Sequence, residues 1–180
     1  MKCTRFKSLR NTKPLVVCDL VEVLNEIQSD KYKSRIEKVR SDEIPSKSKS
    51  KDWLPVFTPT GIFTHRSIKG LESYNGIICL DIDGVEDVKS LKEKASNINY
   101  VYSAFVTPSG KGLKVIIKTN ATKENYRDFE LIVSNDFESK TGAIRDKHCK
   151  DIARIQFVSY DPDIYINENS EVYSITENAI

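Results

Sequence analysis

The stretch from Ile77 to Gly84, reading Ile-Ile-Cys-Leu-Asp-Ile-Asp-Gly, constrains the chain more than any other. Its β-branched and apolar residues form a buried strand, and two carboxylates precede the glycine that breaks it. Alternate residues of a strand share a face, so Asp81 and Asp83 point the same way. Two readings follow. Either the strand leaves the core and turns polar, or the pair is a site for Mg²⁺ or Mn²⁺, hard cations that accept one or two carboxylates and keep positions for water and phosphate.

The chain has 180 residues, 39% of them hydrophobic, enough for one well-formed core and too few for two. We read residues 1–180 as a single domain: an N-terminal αβ arm over 1–45, a flexible basic loop over 46–52 and a catalytic-type core over 53–180. Cys3, Cys18, Cys79 and Cys149 are widely spaced, with no Cys-x-x-Cys pair, so neither a zinc knuckle nor a disulfide framework is expected. A reducing, cytoplasmic setting fits this, and neither a membrane span nor a signal peptide is expected. The formal charge of +2 is no evidence for nucleic acid by itself. The cations do crowd together, at Lys31, Lys33, Arg35, Lys38, Arg40, Lys47, Lys49 and Lys51. Such a stripe can hold a phosphate backbone, and it is equally what a solvated helix face followed by a loop looks like.

Along the chain, a short N-terminal strand and a second at Leu15 to Cys18 precede a helix carrying Leu20, Val23, Leu24 and Ile27 at helical spacing. Another helix is expected from Lys31 to Val39, and Ser46 to Lys51 is low in complexity and reads as mobile. Trp53 to Thr64 is expected as extended segments bent at Pro59-Thr60-Gly61, and Ile68 to Tyr74 as a turn or short helix. Val85 to Ala95 is expected as a helix, followed by a hairpin of Tyr100 to Val106 and Leu113 to Lys118. A longer helix carries Tyr126, Phe129, Ile132, Val133 and Phe137 on one face. A strand from Ile152 to Tyr160 and extended pieces at Ile164 to Ile166 and Val172 to Ile175 complete an α+β chain with a largely antiparallel sheet.

Two further stretches carry chemistry. Thr107-Pro-Ser-Gly-Lys-Gly-Leu-Lys114 offers hydroxyls, glycines that let backbone N–H groups approach an anion, and lysines for a phosphate. It lacks the first glycine of a Walker loop and leads into a strand instead of a helix. Arg154-Ile-Gln-Phe-Val-Ser-Tyr-Asp161 begins with a guanidinium that forks onto phosphate and ends in a carboxylate. Asp161 or Asp163 would supply the third oxygen ligand of a two-metal site, whose ions stand about 3.5–4 Å apart. Singly, each stretch is also an ordinary turn or strand end.

In order and spacing the three stretches resemble the archaeo-eukaryotic primase superfamily, with an Asp-x-Asp strand, a Ser-Gly-rich element and an apolar strand ending in an acid. The resemblance is closest to the primase-like domain N-terminal to VirE-type helicases of phages and mobile elements of Bacteroidetes. It also takes in Lys31-Tyr-Lys-x-x-Ile36, Leu54-Pro55, Gly61-Ile-Phe63 with Arg66, and Asp151 through Arg154 to Asp163. It implies an RRM-like, mostly antiparallel sheet with packed helices and an N-terminal αβ unit. The activity implied is metal-dependent primer synthesis or extension on a single-stranded DNA template from nucleoside triphosphates, alongside a replicative helicase. Asp81, Asp83 and Asp161 would hold the ions. Ser109, Gly110, Lys111, Gly112, Lys114 and Arg154 would bind the triphosphate, and Lys47, Lys49, Lys51 and Arg66 the nucleic acid. Lys114 stands where the wider superfamily has His; lysine binds phosphate but does not replace a His acid/base near neutral pH without a strongly lowered pKa.

Leu80-Asp-Ile-Asp-Gly-Val85 also resembles the first motif of haloacid-dehalogenase-type phosphatases, in which Asp81 would be the nucleophile. That fold needs a parallel sheet of several βα units after the motif, and the remaining chain reads as hairpins. An EF-hand is disfavoured because Val85 and Glu86 occupy positions that need a ligand and a glycine. A non-catalytic module that keeps a primase fold to bind DNA or a helicase is the remaining alternative.

Overall fold

The computed structural model describes residues 1–44, 47–145 and 151–175. Its first sheet contains β1 (Lys2–Phe6), β2 (Val16–Asp19), β3 (Val56–Thr58) and β9 (Gln156–Phe157) in the order β2-β1-β3-β9, every pair antiparallel. The second contains β6 (Ile77–Asp83), β7 (Val101–Val106), β8 (Gly112–Lys118) and β10 (Tyr165–Ile166) in the order β10-β7-β8-β6, again antiparallel throughout. A hairpin of β4 (Gly61–Phe63) and β5 (Leu71–Tyr74) stands beside them. The α-helices among the described residues are α1 (Leu20–Gln28), α2 (Lys33–Ser41), α3 (Val88–Ser96) and α4 (Tyr126–Thr141). The protein is therefore α+β with antiparallel sheets. The parallel βα series that a phosphatase reading needs is not what surrounds β6.

The second sheet is the middle layer, which is why β6 reads as a continuous apolar run instead of an alternating one. Ile78, Leu80 and Ile82 pack with Leu113, Val115 and Ile117 against Leu91 and Ala95 of α3 and Phe129, Val133 and Phe137 of α4. The opposite parity, Ile77 and Cys79 with Ile116 and Phe105, meets Leu24 and Ile27 of α1, Ile36 of α2 and Phe57 of β3. Asp81 and Asp83 share the parity of Cys79 and so face the N-terminal layer. That layer is not a detached arm, because β1 sits in mid-sheet, with β2 on one side and β3 on the other.

Helix starts follow local chemistry. Asp87 caps α3 by accepting the Ser90 N–H at 2.9 Å, and Gly142 ends α4 in the left-handed conformation at φ 74°. Three expectations change. The basic stretch after residue 46 contains a 3₁₀ turn, Lys49–Trp53, which Ser48 caps by accepting the Ser50 N–H; residues 45 and 46 lie outside the described residues. The strand expected over Ile152 to Tyr160 shrinks to β9. Asp151 folds its neighbours into a turn through the Ala153 and Arg154 N–H groups. Beyond β9 the chain spreads its bonds among several elements, Val158 donating to Pro55 O, Ser159 to Val106 O and Asp161 to Ile27 O. The extended piece expected at Val172 to Ile175 is a single bridge between Tyr173 and Thr119. Cys3, Cys18 and Cys79 are buried thiols, and Cys149 lies outside the described residues. No described helix is long and apolar enough to cross a membrane.

Candidate active site

Antiparallel pairing sets Asp81 of β6 directly across from Lys114 of β8. Both are buried at 7% exposure, and the Lys114 ammonium forms an ion pair with Asp81 Oδ2. Two residues on, Asp83 stands opposite Gly112 at the exposed strand end. Gly112 is required by close approach. A Cβ there would meet Ile82 O at 2.6 Å, Asp83 Oδ1 at 3.0 Å and Thr107 Oγ1 at 3.1 Å. Gly110 turns the hairpin loop at φ 76°, conformational space that glycine occupies without strain. The Thr107 and Ser109 hydroxyls stand 3.1 Å apart within the loop.

These groups open on a cleft of about 370 Å³ between the two sheets, lined by Asp81, Asp83, Thr107, Ser109, Lys114 and Arg154 and closed by Leu9, Lys51, Ile155 and Phe157 on the first-sheet side. Two carboxylates thus face three cations and a hydroxyl-bearing loop. Lys51 is held there with its ammonium 4.9 Å from the Phe157 ring centroid. Burial, and then the neighbouring Lys114, pull its pKa below the ordinary lysine value, against the opposing pull of Asp83 and Asp81. A cation so placed gains most from an anionic ligand.

The remaining site residues fall elsewhere. Asp161 is buried at 4% exposure, and both its oxygens receive the Lys92 ammonium of α3 at 2.8 Å. It also accepts the Val106 N–H at 2.8 Å and the Asp163 N–H at 3.2 Å. It therefore caps the end of β7 and lines, with Asp163, Lys92 and Gly110, a separate concavity beside α3. Since β8 lies between β6 and β7, Asp81 and the Val106 backbone are about 10 Å apart, two strand spacings. The expectation that Asp161 completes a metal site with Asp81 and Asp83 is corrected accordingly: a helix lysine and two amides already use its oxygens. Lys111 is exposed and does not line the cleft; its carbonyl accepts the Val85 N–H. Lys47 and Lys49 are exposed, whereas Arg66 is bound into the fold, donating to Leu9 O through its side chain and to Thr12 O through its backbone. Lys51 belongs to the cleft.

The positioning roles of two residues escaped sequence reasoning, which placed Arg40 only in the basic stripe. Arg40, at the end of α2, donates to Pro108 O at 3.3 Å and to Tyr160 O at 3.0 Å, tying the hairpin loop to the segment before Asp161. Lys92 anchors Asp161. Both contacts join residues dozens of positions apart, and neither leaves a local signal.

Among the described residues no group of three His, Cys, Asp or Glu side chains is placed to hold a metal. The donor set does fit one divalent cation of the Mg²⁺ type, which binds through one or two carboxylates and takes its other oxygens from phosphates and water. Asp81 and Asp83 would hold it.

Residues 49–166 match the family model described as BT4734-like, N-terminal domain. The match takes in every residue lining the cleft except Leu9. No curated protein and no solved structure matches the chain.

Proposed function

We propose that this chain, which by that match belongs to the BT4734-like N-terminal domain family, is a primase-like nucleotidyltransferase acting on single-stranded DNA with nucleoside triphosphates and Mg²⁺ or Mn²⁺. One observation carries the reading: Asp81 and Asp83 share a cleft with Lys51, Lys114, Arg154 and the Ser109 loop. Carboxylates for a metal facing cations for phosphate is the division of labour that phosphoryl transfer needs. The succession β6-α3-β7-β8-α4-β10 has the β-α-β-β-α-β chain order of RRM-like cores, with β8 between β6 and β7 as in a split βαβ unit, whereas the pairing of β10 with β7 leaves β6 on the sheet edge and departs from the strand order of that fold.

In this reading Lys114, Lys51 and Arg154 neutralise the triphosphate, and the Ser109 loop, fixed by Arg40, orients it. A bound metal would supply charge stabilisation at the transferring phosphoryl group. Lys114 exchanges its Asp81 partner for phosphate as nucleotide enters. The resemblance to phage and mobile-element primases extends the proposal to a replicative helicase as partner and to a cytoplasmic site of action.

A second reading, a nucleotide- or DNA-binding module without synthesis, draws on the capture of Asp161 by Lys92 and the pairing of Asp81 with Lys114. Incubation with a single-stranded template, labelled nucleotides and Mg²⁺ or Mn²⁺ separates the two. Extended product from the native chain and none from Asp81→Asn/Asp83→Asn is expected. Absence of product, or equal product from both, overturns the polymerase reading.

A further inference from the structure

Another concavity lies outside the cleft. It is an open groove of about 770 Å³ on the N-terminal layer, lined by Arg5, Lys7, Arg10, Lys31 and Arg35 with no acidic side chain in its wall. Its floor is tied together by hydrogen bonds: Arg5 donates to both Glu26 oxygens, and the Tyr32 hydroxyl donates to Glu26 Oε2 at 2.6 Å. Lys31 also pairs with Glu26, and Arg10 stands 3.8 Å from Asp52. Five cations against two nearby carboxylates leave the groove positive.

Beside this charge lies an exposed aromatic face. Trp53 is 59% exposed, with the Arg10 guanidinium 4.8 Å from its ring centroid. Leu15 and Val16, 66% and 47% exposed, continue the apolar strip along the wall. Trp53, Leu15 and Val16 are grouped on one wall of the groove, and a contiguous apolar strip rimmed by charge is the pattern of an interaction surface. Cations lining one groove beside a stacking platform suit the phosphates and bases of a single strand, whose bases are free to stack. An acidic peptide would satisfy the charges and leave the tryptophan face unused.

The groove also leads to the cleft. Lys7 and Arg10 line the groove while Leu9, between them, lines the cleft. Lys51 in the cleft and Trp53 in the groove are two residues apart on one 3₁₀ turn. We infer that the Arg10–Trp53 groove binds single-stranded nucleic acid and delivers it to the Asp81–Asp83 cleft. The strand's role as template rests on the reading of the cleft given above; its binding does not.

Trp53 is the only tryptophan of the chain, so its fluorescence reports the groove directly. The experiment titrates the protein with a fluorescein-labelled oligothymidylate and, for quenching, with an unlabelled one, metal chelated so that no turnover contributes. Saturable quenching of Trp53 is expected, together with roughly 5- to 100-fold weaker binding by Trp53→Ala, retention by Trp53→Phe, and a salt slope shallower by about 0.7 for each cation removed in Lys7→Ala and Arg10→Ala. Circular dichroism confirms that the variants are folded. Absence of binding, binding without quenching, variants that bind like the native chain, or equal affinity for an oligoglutamate peptide would each overturn the inference. Quenching and variant effects in a chain that makes no primer would support the groove and refute the polymerase reading, so the two failures are distinct.

Discussion

Replacing Lys114 by methionine keeps the length and apolar stem of the side chain and removes its charge. In the native cleft both partners of the Asp81–Lys114 pair are buried, and they face each other across two paired strands. Removing one partner of a buried ion pair costs about 3–5 kcal/mol, because the other charge remains without it. At the mouth of a cleft the lower figure applies, and about 3 kcal/mol corresponds to a melting point lower by about 6–12 °C for a domain of this size. Asp81→Asn/Lys114→Met removes both charges and should recover about 2 kcal/mol of the summed single losses, a coupling well above the scatter of additive sites. Urea unfolding of the four proteins in chelator measures this. The same variants test the metal, because Lys114 neutralises Asp81 and competes with any cation for it. Lys114→Met should therefore bind Mn²⁺ more tightly than the native chain while binding nucleoside triphosphate more weakly, and a metal at a hundred times its Kd should return about 2.7 kcal/mol of stability. Coupling below about 0.5 kcal/mol, or tighter metal binding accompanied by tighter nucleotide binding, would refute the reasoning.

Two other outcomes follow from the same network of buried charges. Asp161→Asn should lower stability by about 3 kcal/mol, through loss of a buried, doubly contacted ion pair with Lys92, and should leave Mn²⁺ affinity unchanged in titration calorimetry; a loss of metal binding would return Asp161 to the ligand set. Glu26 titrates at about 2: burial would raise its pKa, but Arg5, Lys31 and Tyr32 together hold it down. Its contribution is therefore complete above the ordinary glutamate range and is lost as pH falls from about 4.5 toward 2. The stability gap between native and Glu26→Gln, followed by urea unfolding from pH 6 to pH 2, should close over that interval, and a gap independent of pH would show that Glu26 does not act through its charge.

What the sequence disclosed and what it hid divide along a physical line. Residues 77–83, the hairpin around Gly110 and the faces of α1, α3 and α4 were legible because periodicity and turn chemistry are local properties. Asp81, Asp83, Ser109, Lys114 and Arg154 converge because a strand pair in fixed register carries Asp81, Asp83 and Lys114, the hairpin loop leading into β8 carries Ser109, and Arg154 stands just before β9. Asp161 looked like their equal, an acid at the end of an apolar run. Its fate was decided by Lys92, 69 residues earlier on a helix whose pattern says only that the lysine is not in the core. The Lys-Ser stretch misled in the opposite direction. Its composition is that of a solvated linker, yet Ser48 caps a turn and Lys51 lies over Phe157. Low complexity describes what a segment cannot bury alone, and here another element supplied the partner.

The parity of β6 has a consequence for how the cleft works. Had Asp81 shared the face of Leu80, it would lie under α3 and α4, sealed from any ligand. Because it shares the face of Cys79, it opens toward the N-terminal layer, and the far wall of the cleft is built from Leu9, Lys51 and Phe157. Arg40 of α2 joins the two layers by holding the hairpin loop and the Tyr160 carbonyl together. The acids and the loop lie on one layer, and a cation and the walls lie on the other. Under the proposed reading, ligand binding in this cleft would be sensitive to the spacing of the two layers, and a ligand that bridges Lys51 and Lys114 would draw them together. A strand seated on Trp53 would pull on the same 3₁₀ turn that carries Lys51. Under the proposed reading that turn would couple the groove to the cleft: nucleoside triphosphate affinity, measured by titration calorimetry with metal chelated, should rise when an oligothymidylate fills the groove, and an unchanged affinity would refute the coupling.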